Sequence, residues 1–333
     1  MIKIGIDASG GDNGEKEVIK AIINTMKNNT DIYIVVFGDE DIIKNEFEKE
    51  NFRYEDYNIS IFDAKEKISM NDHPVMAIRT KKDSSIVKAG EALSSKNIDA
   101  FISAGNTGAL VALAQFYLKP IKGVDRPVVG AIVPTDKSPM LLVDSGCNVD
   151  SKAEWLYQYA ILANVYYKLM FKVENPTIGL LSVGTEENKG NDLTLSAYKL
   201  LKENESLNFI GNVEARDLVY GVCDILITDG FAGNVFLKTY EGTATLLLKL
   251  IKRQIMSSFT CKLGGILIKP ALKKLLSKYD AKIYGGAPIL GANGLIIKCH
   301  GNSTYIEYTY AIKQSCDLMK KNFNDVIKKS FEE

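Results

Sequence analysis

Short runs of apolar residues alternate with longer amphipathic stretches along most of the chain. Residues 2–8, 32–38, 59–63, 99–103 and 128–133 are predicted to be strands, as are 140–144, 177–182, 208–213 and 224–228. Several of these runs are apolar at nearly every position, the mark of strands covered on both faces in a parallel sheet. Between them, apolar residues recur at helical spacing over 15–27, 107–117, 151–169, 193–203 and 302–329. The alternation predicts an α/β fold with a mostly parallel sheet and a helical layer on each face, three layers in all. No Pro- or Ser-rich linker and no internal repeat divides residues 1–333, so one unit is expected.

Residues 245–282 depart from this rhythm. Leu247, Leu250 and Ile251, then Leu272, Leu275, Leu276 and Tyr279, follow helical spacing in a segment crowded with lysine. Two amphipathic helices are predicted, with Gly264-Gly265 as the turn between them and Pro270 opening the second. The segment holds nine basic residues and one acidic, a net of +8. The whole chain has 41 of each, so the rest carries 32 basic and 40 acidic residues, a net of −8. The zero total is a cancellation between an acidic body and a basic arm. It excludes a uniformly basic nucleic-acid binder but not a charged partner. An anionic membrane surface or an acidic protein suits the arm, and so does a plain solvated face.

With 46% hydrophobic and 25% charged residues, the chain has the composition of a globular protein. Five cysteines lie scattered without a CxxC pair, which fits reduced thiols rather than a disulfide framework. Two histidines, His73 and His300, are too few for an imidazole-rich zinc site. No secretory leader is visible at the N-terminus, and no run reaches the roughly 18 apolar residues of a spanning helix. A cytoplasmic protein is expected.

The predicted strands end in a uniform way. Asp7-Ala-Ser-Gly-Gly-Asp12, Ser103-Ala-Gly-Asn-Thr-Gly108, Asp144-Ser-Gly-Cys-Asn148, Ser182-Val-Gly-Thr-Glu-Glu187 and Thr228-Asp-Gly-Phe-Ala-Gly-Asn234 are all built from small and polar residues. Such residues let backbone approach a ligand, and N–H groups at a following helix start favour anions. They are also ordinary turn and cap residues. Their repetition predicts a ligand cleft along the carboxyl ends of the strands. The usual phosphate motifs are missing. None of the 26 glycines makes a Gly-x-Gly pair, no Gly-x4-Gly-Lys occurs, and there is no Gly-x-Ser-x-Gly elbow.

Taken in order, these segments closely resemble the PlsX family, the acyl-carrier-protein:phosphate acyltransferases of bacterial phospholipid synthesis. The resemblance runs from Asp7–Asp12 through Ser103–Ala109, Arg126-Pro127, Asp144–Asp150, Gly184–Gly190 and Asp229–Asn234 to Gly285–Gly291 and His300-Gly301. Three positions depart from the family pattern: Asn13 for a common His, Cys147 for the usual Ala, and Ser182 for the usual Asn. The resemblance implies the α/β/α fold of phosphotransacetylases and of isocitrate- and isopropylmalate-type dehydrogenases. It implies transfer of a long-chain acyl group from acyl-acyl-carrier protein to inorganic phosphate, giving acyl phosphate, with no cofactor and no metal. A homodimer on the inner face of the cell membrane is implied as well, with the membrane-bound glycerol-3-phosphate acyltransferase as a further partner. A short-chain acyl-CoA phosphotransacetylase, a decarboxylating dehydrogenase and a non-catalytic lipid-binding module are the rival readings.

The residues suit the implied reaction. Phosphate brings its own nucleophilic oxygens, and the departing thiol has a pKa of about 8.5, so neither an enzyme nucleophile nor a strong general acid is required. What is needed is positioning and stabilisation of the oxyanion. Phosphate and substrate binding are assigned to Ser103, Asn106, Thr107, Asn148 and Lys189, with the acids Asp7, Asp12 and Asp229 as orienting groups. Arg126, His300 and Asn234 are assigned to catalysis, Arg126 as a planar fork and His300 as a donor to oxyanion or thiolate. Lys262, Lys269, Lys273, Lys274 and Lys278 are assigned to contact with membrane or carrier protein. Cys147 is expected to be a packing residue.

Overall fold

A computed structural model describes residues 1–29, 31–279 and 281–332. Among the described residues, eleven strands join one sheet: β1 (Ile2–Asp7), β2 (Ile32–Gly38), β3 (Ile59–Asp63), β4 (Ala100–Ser103), β5 (Val128–Val133), β6 (Met140–Val143), β7 (Ile178–Ser182), β8 (Phe209–Glu214), β9 (Ile225–Ile227), β10 (Ala287–Leu290) and β11 (Leu295–Lys298). Their order is β3-β2-β1-β4-β11-β10-β5-β6-β9-β7-β8. Nine of them coincide with the predicted strands to within a residue or two. Alternation fails at β10 because Pro288 and the flanking glycines mask its apolar residues.

The helices are α1 (Gly14–Met26), α2 (Glu40–Lys49), α3 (Pro74–Thr80), α4 (Ser85–Ser94), α5 (Thr107–Leu113), α6 (Ala153–Phe171), α7 (Asp192–Glu203), α8 (Gly230–Ile255), α9 (Phe259–Lys278), α10 (Tyr305–Lys320) and α11 (Phe323–Lys329). The predicted helix over 302–329 is broken at Asn322, which takes a left-handed conformation. One face of the sheet packs α1, α2, α6, α7, α10 and α11 into a continuous core around Tyr159, Tyr166 and Tyr167. The other face is covered by α3, α4 and α5 over the first half of the sheet and by the start of α8 over the second.

Two antiparallel junctions decide where the strand ends lie. β10 runs antiparallel to both β11 and β5, and β5 runs antiparallel to β6. The carboxyl ends of β1, β4 and β11 therefore lie along one edge, while those of β6, β7 and β9 lie along the opposite one. The single row of strand ends expected from the sequence is thus corrected to two rows. Periodicity reports burial and not direction, so it could not register the reversal.

The arm is also corrected. Gly264 and Gly265 lie inside α9, as does Pro270, and the chain turns instead at Ser257-Ser258. The Ser258 hydroxyl accepts from the Cys261 N–H at 3.1 Å, an ordinary helix cap. Gly265 is needed because a Cβ there would collide with the Ile255 side chain on α8. Beyond about residue 242 both helices stand clear of the sheet with most side chains exposed.

Candidate functional site

Asp7 and Asp144 each end a strand, are fully buried, and are wrapped by the loop that follows. Asp7 accepts from the N–H groups of Ser9 and Gly10 and from the Ser103 hydroxyl at 2.6 Å. Asp144 accepts from the N–H groups of Gly146, Cys147 and Asn148 at 2.7–2.8 Å, and from the Asn148 side-chain amide at 3.0 Å. Burial pushes both carboxyls above the usual range, and the N–H groups pull the other way. The backbone nests that the sequence offers for an external anion are thus filled by the chain's own carboxylates. Ser103 is wholly buried against Asp7.

Asn106 is similarly committed. Its oxygen caps α5 through the Ala109 N–H at 3.0 Å, and its amide donates to the carbonyls of Ser69, Met70 and Asp72. Asp229 caps α8 through the Ala232 N–H at 2.8 Å. Asp12 is exposed, and its N–H donates to the Gly301 carbonyl at 2.6 Å. Asn13 donates to the carbonyls of Asn302 and Ser303, tying the loop after β1 to the loop that carries His300.

A pocket of about 260 Å³ collects several of the remaining residues. Thr107 and Gly108 from α5, Arg126 and Pro127 ahead of β5, and Gly146, Cys147 and Asn148 after β6 line it. Arg126 is exposed and lies over the Trp155 ring at 5.4 Å, which occupies its face and leaves its N–H edge for an anion. Cys147 is inert by environment: burial, then the Asp144 carboxylate, pushes its thiol well above the ordinary value.

The first turn of α8 packs on the loop after β6 that supplies Gly146, Cys147 and Asn148 to the pocket. A Cβ at Gly146 would lie 2.6 Å from Asn234 Nδ2, and one at Gly233 would collide with the Asp144 carbonyl. Only glycine lets the helix start press on the loop this closely. Asn234 donates to the Ser145 carbonyl at 3.0 Å and is otherwise exposed. Lys189 is exposed on the loop after β7, along the same sheet edge as the β6 and β9 ends, and makes no ion pair among the described residues.

His300 follows β11 on the opposite edge. Burial of part of its ring, then the positive charges of Lys298 and Lys238, hold it below its ordinary pKa. One turn separates Lys238 from Asn234 on α8, so the helix carries polar groups from one sheet edge toward the other. Lys298 is missing from the sequence assignment. It is 9% exposed, donates to the Cys299 carbonyl, and is held below the ordinary lysine range chiefly by burial. The signal was present: a lone Lys in a strand whose neighbours are all apolar.

A second, larger concavity was also not anticipated. A groove of about 770 Å³ runs along α8 between Phe231 and Leu247, walled on its far side by Leu181 and by the turn at 215–219. Its helical wall repeats every four residues at 231, 235, 239, 243 and 247. On the arm, Lys262, Lys269, Lys273 and Lys274 are exposed, and the side chain of Lys278 lies outside the described residues. No helix among the described residues is long and apolar enough to cross a membrane.

The chain matches the family model described as fatty acid synthesis protein over residues 2–326. It is 46% identical to a phosphate acyltransferase of Clostridium botulinum, over 99% of both chains. Identity is 45% to that of Clostridium tetani, covering 98% of this chain and 97% of the relative. Among solved structures it is similar to the EutD phosphotransacetylase of Staphylococcus aureus, with a TM-score of 0.61 at 17% identity over 96% of this chain and 94% of the other. A Streptococcus pyogenes phosphotransacetylase gives 0.62 at 16% identity with the same coverage. A 4-hydroxythreonine-4-phosphate dehydrogenase from Salmonella typhimurium gives 0.55 at 12%, over 96% of this chain and 99% of the other. These structural likenesses bear on the fold.

Proposed function

Because the chain belongs to the PlsX family of phosphate acyltransferases, enzymes of fatty acid and phospholipid synthesis, we propose that it transfers a long-chain acyl group from acyl-acyl-carrier protein to inorganic phosphate. The observation that carries this reading is the pocket where Thr107, Arg126 and the Asp144–Asn148 loop meet the helix turn of Asn234. A phosphate oxygen attacks the thioester carbonyl carbon, the C–S bond breaks, and the thiolate leaves and takes up a proton. Arg126 and Lys189 hold the phosphate charge, Thr107 donates to it, and Asn234 positions the reacting groups. His300, neutral at pH 7, donates a hydrogen bond from the other end of the polar stripe on α8. Asp7, Asp144, Ser103, Asn106, Asn148 and Asp229 hold the frame, and Asp12 fixes the His300 loop.

In this reading the basic arm meets an anionic membrane or the acidic carrier protein, and the enzyme works as a homodimer, peripheral to the membrane. It hands acyl phosphate to the membrane-bound glycerol-3-phosphate acyltransferase. The test is phosphate-dependent loss of the thioester from palmitoyl-acyl-carrier protein, with acyl phosphate trapped as the hydroxamate. Arg126→Ala is expected to lower turnover about 100-fold, the scale of one lost charge-stabilising contact. Turnover of acetyl-CoA in preference to the carrier-protein thioester would replace this reading with a short-chain phosphotransacetylase.

A further inference from the structure

The groove along α8 has a chemistry that phosphate binding does not use. Its walls are Leu181, Val219, Phe231, Val235, Ala244 and Leu247, with threonines between them and Arg216 as its charged member. Arg216 is engaged by Glu214 at 3.1 Å. At about 770 Å³ the groove has the size of a small-molecule site, and its lining is that of a hydrocarbon site.

We propose that this groove holds the acyl chain of the substrate and measures its length. The inference rests on the acyl-transfer reading above. Three observations point to a chain rather than to a protein segment. The groove starts at Phe231 and Ala232, within one helix turn of Asn234, so an acyl group whose carbonyl lies beside Asn234 has the mouth of the groove next to it. It is also long. From Phe231 to Leu247 the helix rises about 24 Å at roughly 1.5 Å per residue. An extended palmitoyl chain needs about 18 Å, taking about 1.2 Å per bond along an extended chain. It also opens onto the exposed apolar side chains Leu246, Leu247 and Leu248 of the arm, which continue the apolar path outward.

The helix then acts as a ruler. Thr239 lies five residues beyond Asn234, about 7.5 Å, and Ala244 lies ten beyond, about 15 Å. At about 1.2 Å per bond these distances correspond to roughly six and twelve chain bonds. Both side chains are exposed on the groove wall, so a bulky replacement fills the groove without entering the core.

The experiment compares wild type, Thr239→Trp and Ala244→Trp on carrier-protein thioesters of four, eight, twelve and sixteen carbons, with phosphate as acceptor. Ala244→Trp is expected to lower kcat/KM for the sixteen-carbon donor at least tenfold and to leave eight carbons within twofold. Thr239→Trp is expected to move the cut-off below eight carbons and to leave four within twofold. Unchanged chain-length profiles in both variants, or a uniform loss at every length, overturn the inference. A binding arm with cis-parinaric acid, which needs no turnover, separates this failure from that of the acyl-transfer reading. Displaceable fluorescence in wild type that both variants lose sustains the groove even if no donor turns over. Absence of binding in wild type, or tryptophan variants that keep the probe but lose a dimer in sedimentation, assigns the groove to something other than an acyl chain.

Discussion

His300 and Lys298 are adjacent in kind but placed differently. Lys298 lies on the face of β11 that carries Ile296 and packs α5, and it loses most of its water, while His300 keeps an exposed edge. The histidine feels its covered surroundings first and the lysine charge second, and both act against protonation. Its folded pKa therefore lies below the ordinary value of about 6.5, so near pH 6 the unfolded chain binds more protons than the folded one. The stability linked to His300 is present above about pH 6.5 and is lost as pH falls through the depressed folded value. His300→Gln is expected to flatten this slope, read as the urea midpoint at about pH 7.5 against about pH 5.5. An equally steep fall in the variant would show that other groups carry it. The sequence did single out His300 as a candidate donor. It could not reveal the charge of Lys238, which arrives from α8.

At the scale of elements, glycine is informative in pairs. Gly264 and Gly265 are consecutive in α9, yet only Gly265 faces α8. A Cβ at Gly264 meets nothing within 4 Å, so Gly264→Ala is expected to stabilise the helix by about 0.5–1 kcal/mol. Gly265→Ala gains the same propensity but drives a methyl into Ile255, and the hairpin is expected to open. Limited proteolysis across residues 256–262 reads the difference: slower cutting than wild type in the first variant, faster in the second. Equal rates would mean that α8 and α9 do not depend on this approach. A Gly-Gly pair in sequence reads as a turn, because the local signal carries no information about a helix packed alongside.

For the whole molecule, charge is distributed by topology. The arm of +8 leaves a body of −8 from which it projects, with exposed leucines and isoleucines beside its lysines. Vesicles carrying anionic lipid are expected to float wild-type protein, and Lys269→Glu with Lys273→Glu to reduce the floated fraction several-fold. High salt should act in the same direction, since the attraction of exposed charges is screened beyond about 8–10 Å at physiological ionic strength. Flotation that ignores both the substitutions and the salt would move the surface contact away from these lysines.

The sequence alone determined the α/β alternation, nearly all strand positions, the cancelled charge and the family motifs, because burial and turn chemistry are written locally in residue type. It also located the loops that form the pocket. Tertiary structure decided what those loops do. Asp7 reads from the sequence as an orienting group for substrate, and only the fold shows loop N–H groups closed upon its carboxylate, as they are upon Asp144. Strand direction split one expected row of ends into two. The apolar groove exists only where separate elements meet. Each of these is a relation between distant segments, and such a relation depends on which neighbours packing supplies.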